Sequence, residues 1–514
     1  MDQSHENEDR EPIQVVWLKR DLRLSDHEPM RQALASSAQW GKVCLVYIHE
    51  PDLIARADFS AQHGAYVAET LDELSGMAKS IGASLVEAVG EAGEVFGRLH
   101  AIHPISRVWS HQESGHVASF DRDKLVARAL RGLGIHWLEA AQNGVHRGAR
   151  LAEIGFDFDR RLAESACLDI WSAGPHGGWA PAPWTSAPRG SGPKGRGADK
   201  PRRLRGGRMW AWRLLGRFCQ SDRLMGYPGA LSSPLTAVKG CSLLSAALAH
   251  GVLSDREVIQ SLNNAVTMLL PRTALSTRQA LRKGALFFAD RLRWRSAYLQ
   301  AFEVNVDSEL LPDLDPSALC LEEAGDGREI GKTALFLAWS EGRTGVPMVD
   351  ASMRMLASHG WINMRMRGML ASFAVGALGI SWREAGLHLA REFLDYEPGI
   401  HWSQMQIHAG VSRLSAPMAY NPVKQARDHD PDGVFIRRWV PELARVPTSW
   451  IAEPWTMGED EQLACGCTIG VDYPAPIVDM KTAGKVARDR LHGPRGRIAA
   501  LAKAKNEDGQ AGLA

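Results

Sequence analysis

Two arginines inside an apolar helical run are the sharpest chemical signal in this 514-residue sequence. Arg365 and Arg367 stand among Met364, Met366, Met369 and Leu370, within GRTGVPMVDASMRMLASHGWINMRMRGMLASF at residues 342–373. An arginine buried without an acid is strongly destabilising, and Asp395 and Glu397, in the turn DYEPGIHW, are the nearest partners in sequence. Such a set builds either a structural ion pair or a polar site within a helical body. Upstream, Arg291 and Arg295 are spaced to share one face of a helix, with Trp294 beside them. That face is either a surface stripe or a contact for phosphate and stacked base. Ser242 and Ser245 follow Gly240 where a loop enters a helix. Hydroxyls and free backbone N–H groups there either cap the helix or cradle a phosphate. Cations, aromatics and hydroxyls in this order suit a large anionic aromatic cofactor.

Two kinds of element must position these groups. Ile13–Leu18, Lys42–His49, Ser84–Val89, Ser106–Ser110 and Ile135–Glu139 are short apolar runs separated by helical stretches such as Asp26–Gln39 and Ala61–Ile81. That alternation predicts a doubly wound parallel sheet over residues 13–140, with ligands at the carboxyl ends of its strands. No GxGxxG follows the first strand, so a dinucleotide is not expected there. Residues 141–225 break the pattern and read as an interdomain linker, richest in Gly, Pro and Ser over 175–208. Pro188–Arg208 carries eight Lys or Arg against one Asp, either a solvated basic linker or a phosphate contact. From 226 to 480 helix-forming runs dominate: Leu243–Ala249, Ala274–Ala301, Met348–His359, Asn363–Leu378 and Trp382–Leu394. Residues 1–12 read as a loose N-terminus and 481–514 as a charged tail.

Composition narrows the class. With 60 Lys and Arg against 59 Asp and Glu, affinity for nucleic acid must come from a local patch. The seven cysteines form no CxxC ladder or zinc-finger spacing, so reduced thiols and no metal are expected. No apolar run approaches a membrane span and no signal peptide opens the chain, so a cytoplasmic protein is expected. Most of the 17 tryptophans are read as packing, leaving a few for a relay or stacking platform.

Several ordered motifs resemble those of the photolyase/cryptochrome family. They are WLKRDLRLSDHEPM at 17–30, TGVPMVDASMRML at 344–356, GW followed by two arginines and ASF, and YNPVKQARDHDPDGVFIRRWVPEL at 420–443. The resemblance covers roughly residues 13–460, poorly over 141–225, and the DYEPGIH turn looks like a divergent bacterial photolyase-like branch. It implies an α/β antenna domain with a doubly wound parallel sheet, followed by an all-α domain holding bent FAD. It leaves open a second, antenna chromophore, and Glu113 in HQESGH is similar to a folate contact or is an ordinary strand-end loop residue.

By this resemblance Tyr227 and the loop Cys241, Ser242, Leu243, Leu244 and Ser245 match the flavin phosphate site. Arg295 follows Trp294 in the family's WR pair, and Arg367 and Asp395 match the ion pair against the flavin ring. Glu397 matches the acid that hydrogen-bonds the flavin, and His401 the position facing its N5. The departures are as informative. Arg291 replaces the glutamate that contacts the lesion, Met364 replaces an asparagine and Gly368 a methionine. The first tryptophan of the electron-transfer chain falls at Met405 and the dimer-stacking tryptophan at Ile407, while Trp382 matches the chain's middle member. Trp402 is either a substitute first member or a packing residue.

The activity implied is blue-light-driven repair of UV-damaged DNA by a monomer. Photoexcited reduced FAD passes an electron to a cyclobutane pyrimidine dimer, with Trp294 as stacking wall and Arg365 as substrate contact. The rival readings are a cryptochrome-like photoreceptor and repair of (6-4) photoproducts. Asn363, where a (6-4) enzyme is expected to carry histidine, argues against the latter.

Overall fold

Five runs of β-branched and apolar residues form the strands β1 (Ile13–Leu18), β2 (Val43–His49), β3 (Leu85–Val89), β4 (Ile105–His111) and β5 (His136–Ala140) of a computed structural model. It describes residues 10–142, 144–149, 167, 178–188, 190, 192, 194–311, 329–412 and 418–489. All four pairings are parallel and the order is β3-β2-β1-β4-β5, so the chain reverses direction across the sheet at β1. β1 is buried along its whole length, as a central strand covered by helices on both faces must be. The expected helix Asp26–Gln39 is two pieces, Glu28–Ala35 and Ser37–Trp40, and Ala61–Ser80 is one.

The helical body begins earlier than residue 226. Helices Arg208–Phe218 and Ser221–Ala230 already pack into it, placing Leu215, Phe218, Leu224 and Tyr227 in one apolar cluster with Leu244 and Phe288. The expected linker therefore ends at Gly207, because the Gly- and Pro-rich composition stops there and an amphipathic run follows. A second cluster gathers Met353, Met366, Phe373, Leu389, Phe393 and Met405. The run expected as helix Asn363–Leu378 is α-helical over Met364–Ser372 and relaxes into a π-helical turn at Phe373–Ala377. Much of 141–177, and the tail beyond 489, lie outside the described residues, as do residues 1–9 of the loose N-terminus; residues 480–489 are helical. Among the described residues no helix is long and apolar enough to cross a membrane.

The most recognisable motifs do structural work. Asp350 accepts from the Thr344 and Gly345 backbone N–H groups, the Thr344 hydroxyl and the Tyr473 hydroxyl, which locks the start of helix Pro347–His359. Asn421 caps helix Pro422–His429, and the Asp430 carboxylate accepts from Phe435 and Ile436 N–H at the start of Val434–Trp439.

The basic segment 188–208 is tied down in part. Residues 178–207 run from the sheet to the helical body as a strap. Val43 and Gly178 share a backbone hydrogen bond, as do Ala187 and Glu87, and Ala61 and Arg196. Lys200 then pairs with Glu392, Arg203 with Glu69 and Asp199, and Arg208 with Glu257. These three cations are largely buried against acids from both domains, while Lys194, Arg196, Arg202 and Arg205 stay exposed.

Candidate functional site

Pro398 starts the helix Pro398–Ala409, and its fixed φ suits the first helical position. This holds Asp395, Tyr396 and Glu397 in the extended turn just before it. Asp395 receives Arg367 through two hydrogen bonds, Nη1 to Oδ1 at 3.0 Å and Nη2 to Oδ2 at 2.8 Å. Arg367 Nε donates to the Ile362 carbonyl and its guanidinium lies 4.2 Å from the centre of the Phe393 ring. Burial pushes the Asp395 carboxyl up, but Arg367, with help from the Ser245 hydroxyl, outweighs it and holds the group below the usual carboxylate range. The Arg367 side chain keeps 19% exposure against 4% for Asp395. Both line the adjoining cavity, the cation with the larger exposed part.

Glu397 pairs elsewhere than expected. Its two oxygens receive Arg295 Nε and Nη2 at 3.0 and 2.5 Å, rather than either arginine of helix Met364–Ser372. Arg295 Nη1 reaches Asp255 at 3.0 Å and Nη2 the Leu248 carbonyl. One buried guanidinium thus serves two acids. Burial, with Glu397 nearby and Arg295 only partly compensating, pushes the Asp255 carboxyl up. Asp255 is a site-supporting residue that the sequence reading missed. Its signal was the capping box Ser254–Glu257, which begins helix Asp255–Leu269 and fixes Asp255 at the first turn.

These ion pairs border a cavity of about 510 Å3, within the usual range for ligand sites. Tyr227, Cys241, Ser242, Leu243, Ser245, Arg291, Trp294, Arg295, Arg367, Asp395, Glu397 and His401 all line it. Leu243 has a left-handed backbone, φ 57°, which turns the loop before helix Ser245–Ala249. Leu244 is consequently no wall residue: it is fully buried in the apolar cluster behind. A cationic face, a hydroxyl-bearing loop and aromatic walls fit a flavin dinucleotide. So does the buried Asn363 Oδ1, which borders the cavity with no hydrogen-bond partner.

At the wall farther along helix Pro398–Ala409, His401 Nε2–H donates to the Gly386 carbonyl at 2.9 Å, leaving Nδ1 as the acceptor of a neutral ring. Burial lowers its pKa to about 4. Gly386 has to be glycine, because a Cβ there would meet Trp402 Cζ3 at 2.5 Å. Trp402 is 2% exposed and sits behind the wall, with ring centres 5.0 Å from His401 and 5.8 Å from Trp382. Met405 lines the cavity in place of an aromatic.

The mouth is largely aromatic. Trp294 is 50% exposed and lies 5.8 Å from Tyr298 at a shallow 33° angle. Arg291 is tethered to Asp290 beside it. Gly368 leaves room for His408 and Tyr420, whose rings approach its position within about 3 Å. Two expected contacts are not on the wall. Arg365 lies off the cavity, within electrostatic reach of Tyr420, Asp428 and His429. Ile407 is buried because helix phase turns 401, 404, 405 and 408 towards the cavity and 407 away.

A second cavity, of about 610 Å3, opens at the carboxyl ends of the strands, lined by Lys19, Glu50, Glu113, Arg122 and part of the strap. Glu113 receives Arg122 and its own turn's N–H groups there. Asp21, His27 and His111 cluster beneath, with ligand-like spacing. Both imidazoles donate to Asp21 Oδ2, and His27 Nδ1 accepts from Met30 N–H, so hydrogen bonding accounts for the group without a metal.

Known proteins resemble this chain in sequence and fold. The family model described as "DNA photolyase" matches residues 14–151, and that described as "FAD binding domain of DNA photolyase" matches 288–493. A cryptochrome DASH of Gloeobacter violaceus is 27% identical over 486 residues, covering 91% of this chain and 93% of that protein. A deoxyribodipyrimidine photo-lyase of Alkalihalophilus pseudofirmus is 26% identical over 497 residues, covering 92% and 97%. The crystal structure of a bacterial class III photolyase from Agrobacterium tumefaciens superposes with a TM-score of 0.73 at 25% identity, covering 95% of this chain and 98% of that one. A Synechocystis cryptochrome does so at 0.80 with 22% identity, covering 94% and 99%, a likeness of fold.

Proposed function

This chain belongs to the photolyase/cryptochrome family and carries its FAD-binding domain, and on that premise we propose that it is a light-driven lyase that splits cyclobutane pyrimidine dimers in DNA. The observation that carries this reading is the exposed Trp294 at the mouth of the cavity, flanked by Tyr298 and Arg291. A flat aromatic face beside a cation suits an extruded base and its phosphate. That a lesion leaves the stack to reach the site is a property of photolyases as a class.

Bound FAD supplies light absorption and one-electron chemistry. The residues of this chain do the rest. Arg367, backed by Asp395, presents a fixed cation to an anionic ring; Ser242, Ser245 and Tyr227 border the phosphate end. His401 holds a neutral imidazole on the wall, and the apolar lining excludes water. Trp402 and Trp382 provide an aromatic route from the wall outwards. We assign the second cavity to an antenna chromophore.

The photoreceptor reading draws its support from the mouth, where Arg291, Met364 and Gly368 stand in place of the family's glutamate, asparagine and methionine contacts. Asn363 commits its Nδ2 to the Leu231 and Ser232 carbonyls, which disfavours (6-4) repair through this side chain. The deciding experiment is to photoreduce the purified protein and illuminate it with dimer-containing single- and double-stranded DNA. Dimers are expected to disappear from at least one substrate; loss from neither overturns the repair reading in favour of signalling. Trp382→Phe is expected to slow photoreduction by an order of magnitude with flavin content unchanged. An unchanged rate would mean that electrons enter by another path.

A further inference from the structure

Three buried side chains form a hydrogen-bonded row between the two cavities, with Trp402 behind the first, Tyr396 lining both and Asp58 lining the second. Trp402 Nε1–H donates to the Tyr396 hydroxyl at 3.1 Å, and that hydroxyl donates to Asp58 Oδ2 at 2.8 Å. All three are buried, and Asp58 comes from the α/β domain, far away in sequence. Packing alone would be met by any acceptor for the indole N–H, a backbone carbonyl included. Here the acceptor is a hydroxyl whose own proton already points at a carboxylate.

That carboxylate is kept ionised. Burial pushes the Asp58 carboxyl up, but His116, the Arg56 guanidinium at 3.1 Å and the Tyr396 hydroxyl together hold it below the usual range. Arg56 is shared with Glu309, so it stays paired on both sides. The other groups facing Tyr396 are the His63 and His401 rings, with centres 6.3 and 5.2 Å away, and Arg20, bound to its carbonyl. Both imidazoles are neutral, their pKa values lowered by burial to about 4. The row connects the indole to an ionised carboxylate only through the Tyr396 hydroxyl, and Arg367 lines the same cavity.

We propose that Trp402 is a proton-coupled electron donor, with Tyr396 and Asp58 as its proton relay. The inference rests on the flavin reading and not on the choice between repair and signalling. One electron leaves Trp402 for a photoexcited oxidised flavin in the cavity. An indole that has lost an electron is a much stronger acid than the neutral ring. Its Nε1 proton passes to the Tyr396 oxygen while the phenolic proton passes to Asp58 Oδ2. Trp402 is left a neutral radical, Tyr396 is unchanged in composition, and Asp58 is a carboxylic acid. An electron from Trp382, 5.8 Å away, reverses both proton moves and regenerates Trp402, and an external thiol refills Trp382. The relay leaves a neutral indolyl radical and a neutral carboxylic acid in place of two separated buried charges, which are costly to keep unpaired. It also places the two protons where geometry already holds them, so no side chain has to move.

Flash photolysis of the flavin-loaded protein tests this, because the cation and neutral tryptophan radicals absorb at different wavelengths. The native protein is expected to show the neutral radical, forming more slowly in deuterated solvent. Tyr396→Phe and Asp58→Asn are each expected to show the cation radical with a lifetime at least several-fold shorter. Their flavin absorbance in the dark, expected to be native, reports that the site is intact. In flavin-free protein the Trp402 indole proton resonance is expected to shift in Tyr396→Phe, which checks the hydrogen bond itself. The proposal is overturned if the native radical is the cation, if both variants behave as native, if the signal survives Trp402→Phe, or if the resonance stays in place. None of these readings involves DNA, so failure of the repair reading would leave them unaffected.

Discussion

Asp395→Ala is expected to give a folded protein that purifies with little or no flavin. The acid is almost wholly hidden and its partner Arg367 faces the cavity, so the substitution leaves a cation with no counter-charge beside the bound ring. Removing one partner of a buried pair typically costs about 3–5 kcal/mol. Half of the lower figure, charged to binding, would weaken the cofactor site by roughly tenfold, and the whole of it by more than a hundredfold. Arg367 also loses two of its three hydrogen bonds, keeping only the Ile362 carbonyl, so the ring over which it is stacked, Phe393, is left with a mobile neighbour. The measurement is the ratio of flavin to protein absorbance after purification, alongside thermal melting. Asp395→Asn, which keeps the shape and one acceptor, is expected to fall between the two. Full flavin occupancy in the alanine variant would show that Arg367 does not depend on Asp395 to hold the ligand.

The second large effect is on acid stability. Among the described residues, burial lowers the pKa of His63, His116, His388, His401 and His408 to about 4, and of His111 and His250 to about 3. In each case the folded value lies below that of an unfolded histidine, so the unfolded chain binds more protons as the pH falls below about 6.5. The stability these groups contribute is full above that point and is lost on the way down to pH 4. Each adds a slope of up to ~1.4 kcal/mol per pH unit. Glu50 works the other way. Burial, opposed only in part by Arg122, pushes it up to about 7, so it gains stability as pH falls into the carboxylate range. Glu139, Asp255, Glu303, Glu309 and Asp350, also raised by burial, act in the same sense, so these acids offset part of the histidine loss. Against a total stability of ~5–15 kcal/mol, protonating even a few is enough to unfold the chain. Thermal midpoints are expected to hold near pH 7.5, decline by pH 6 and collapse near pH 5. A midpoint that stays level to pH 5 would contradict this account of the histidines.

What the sequence disclosed follows from which constraints are local. The Arg367–Asp395 pair was legible because a cation in a run of methionines and leucines has to find an acid, and the DYEP turn offered one. The same logic misdirected Glu397. Its true partner, Arg295, is 102 residues away on a helix whose arginines also read as a surface stripe. Asp255 escaped because a first-turn acid in a capped helix looks like ordinary capping. Ile407 was placed by counting along the chain, and helix phase decides its direction instead. The strand pattern of the α/β domain was readable, since each apolar run carries its own burial. The start of the helical body was not, because residues 178–207 have a linker's composition and owe their order to acids supplied by distant elements.

That strap has a bearing on how the molecule could be made or divided. A helical half produced from residue 226 onwards would leave Glu392 and Glu257 without Lys200 and Arg208, and would lack the helix Arg208–Phe218. An α/β half ending at residue 140 would lose the backbone partners of Val43 and Glu87, and Glu69 would lose Arg203. Asp58 would also part from Tyr396. The stretch that looks most like a hinge works as a rivet, and neither half cut at these points keeps all of its partners.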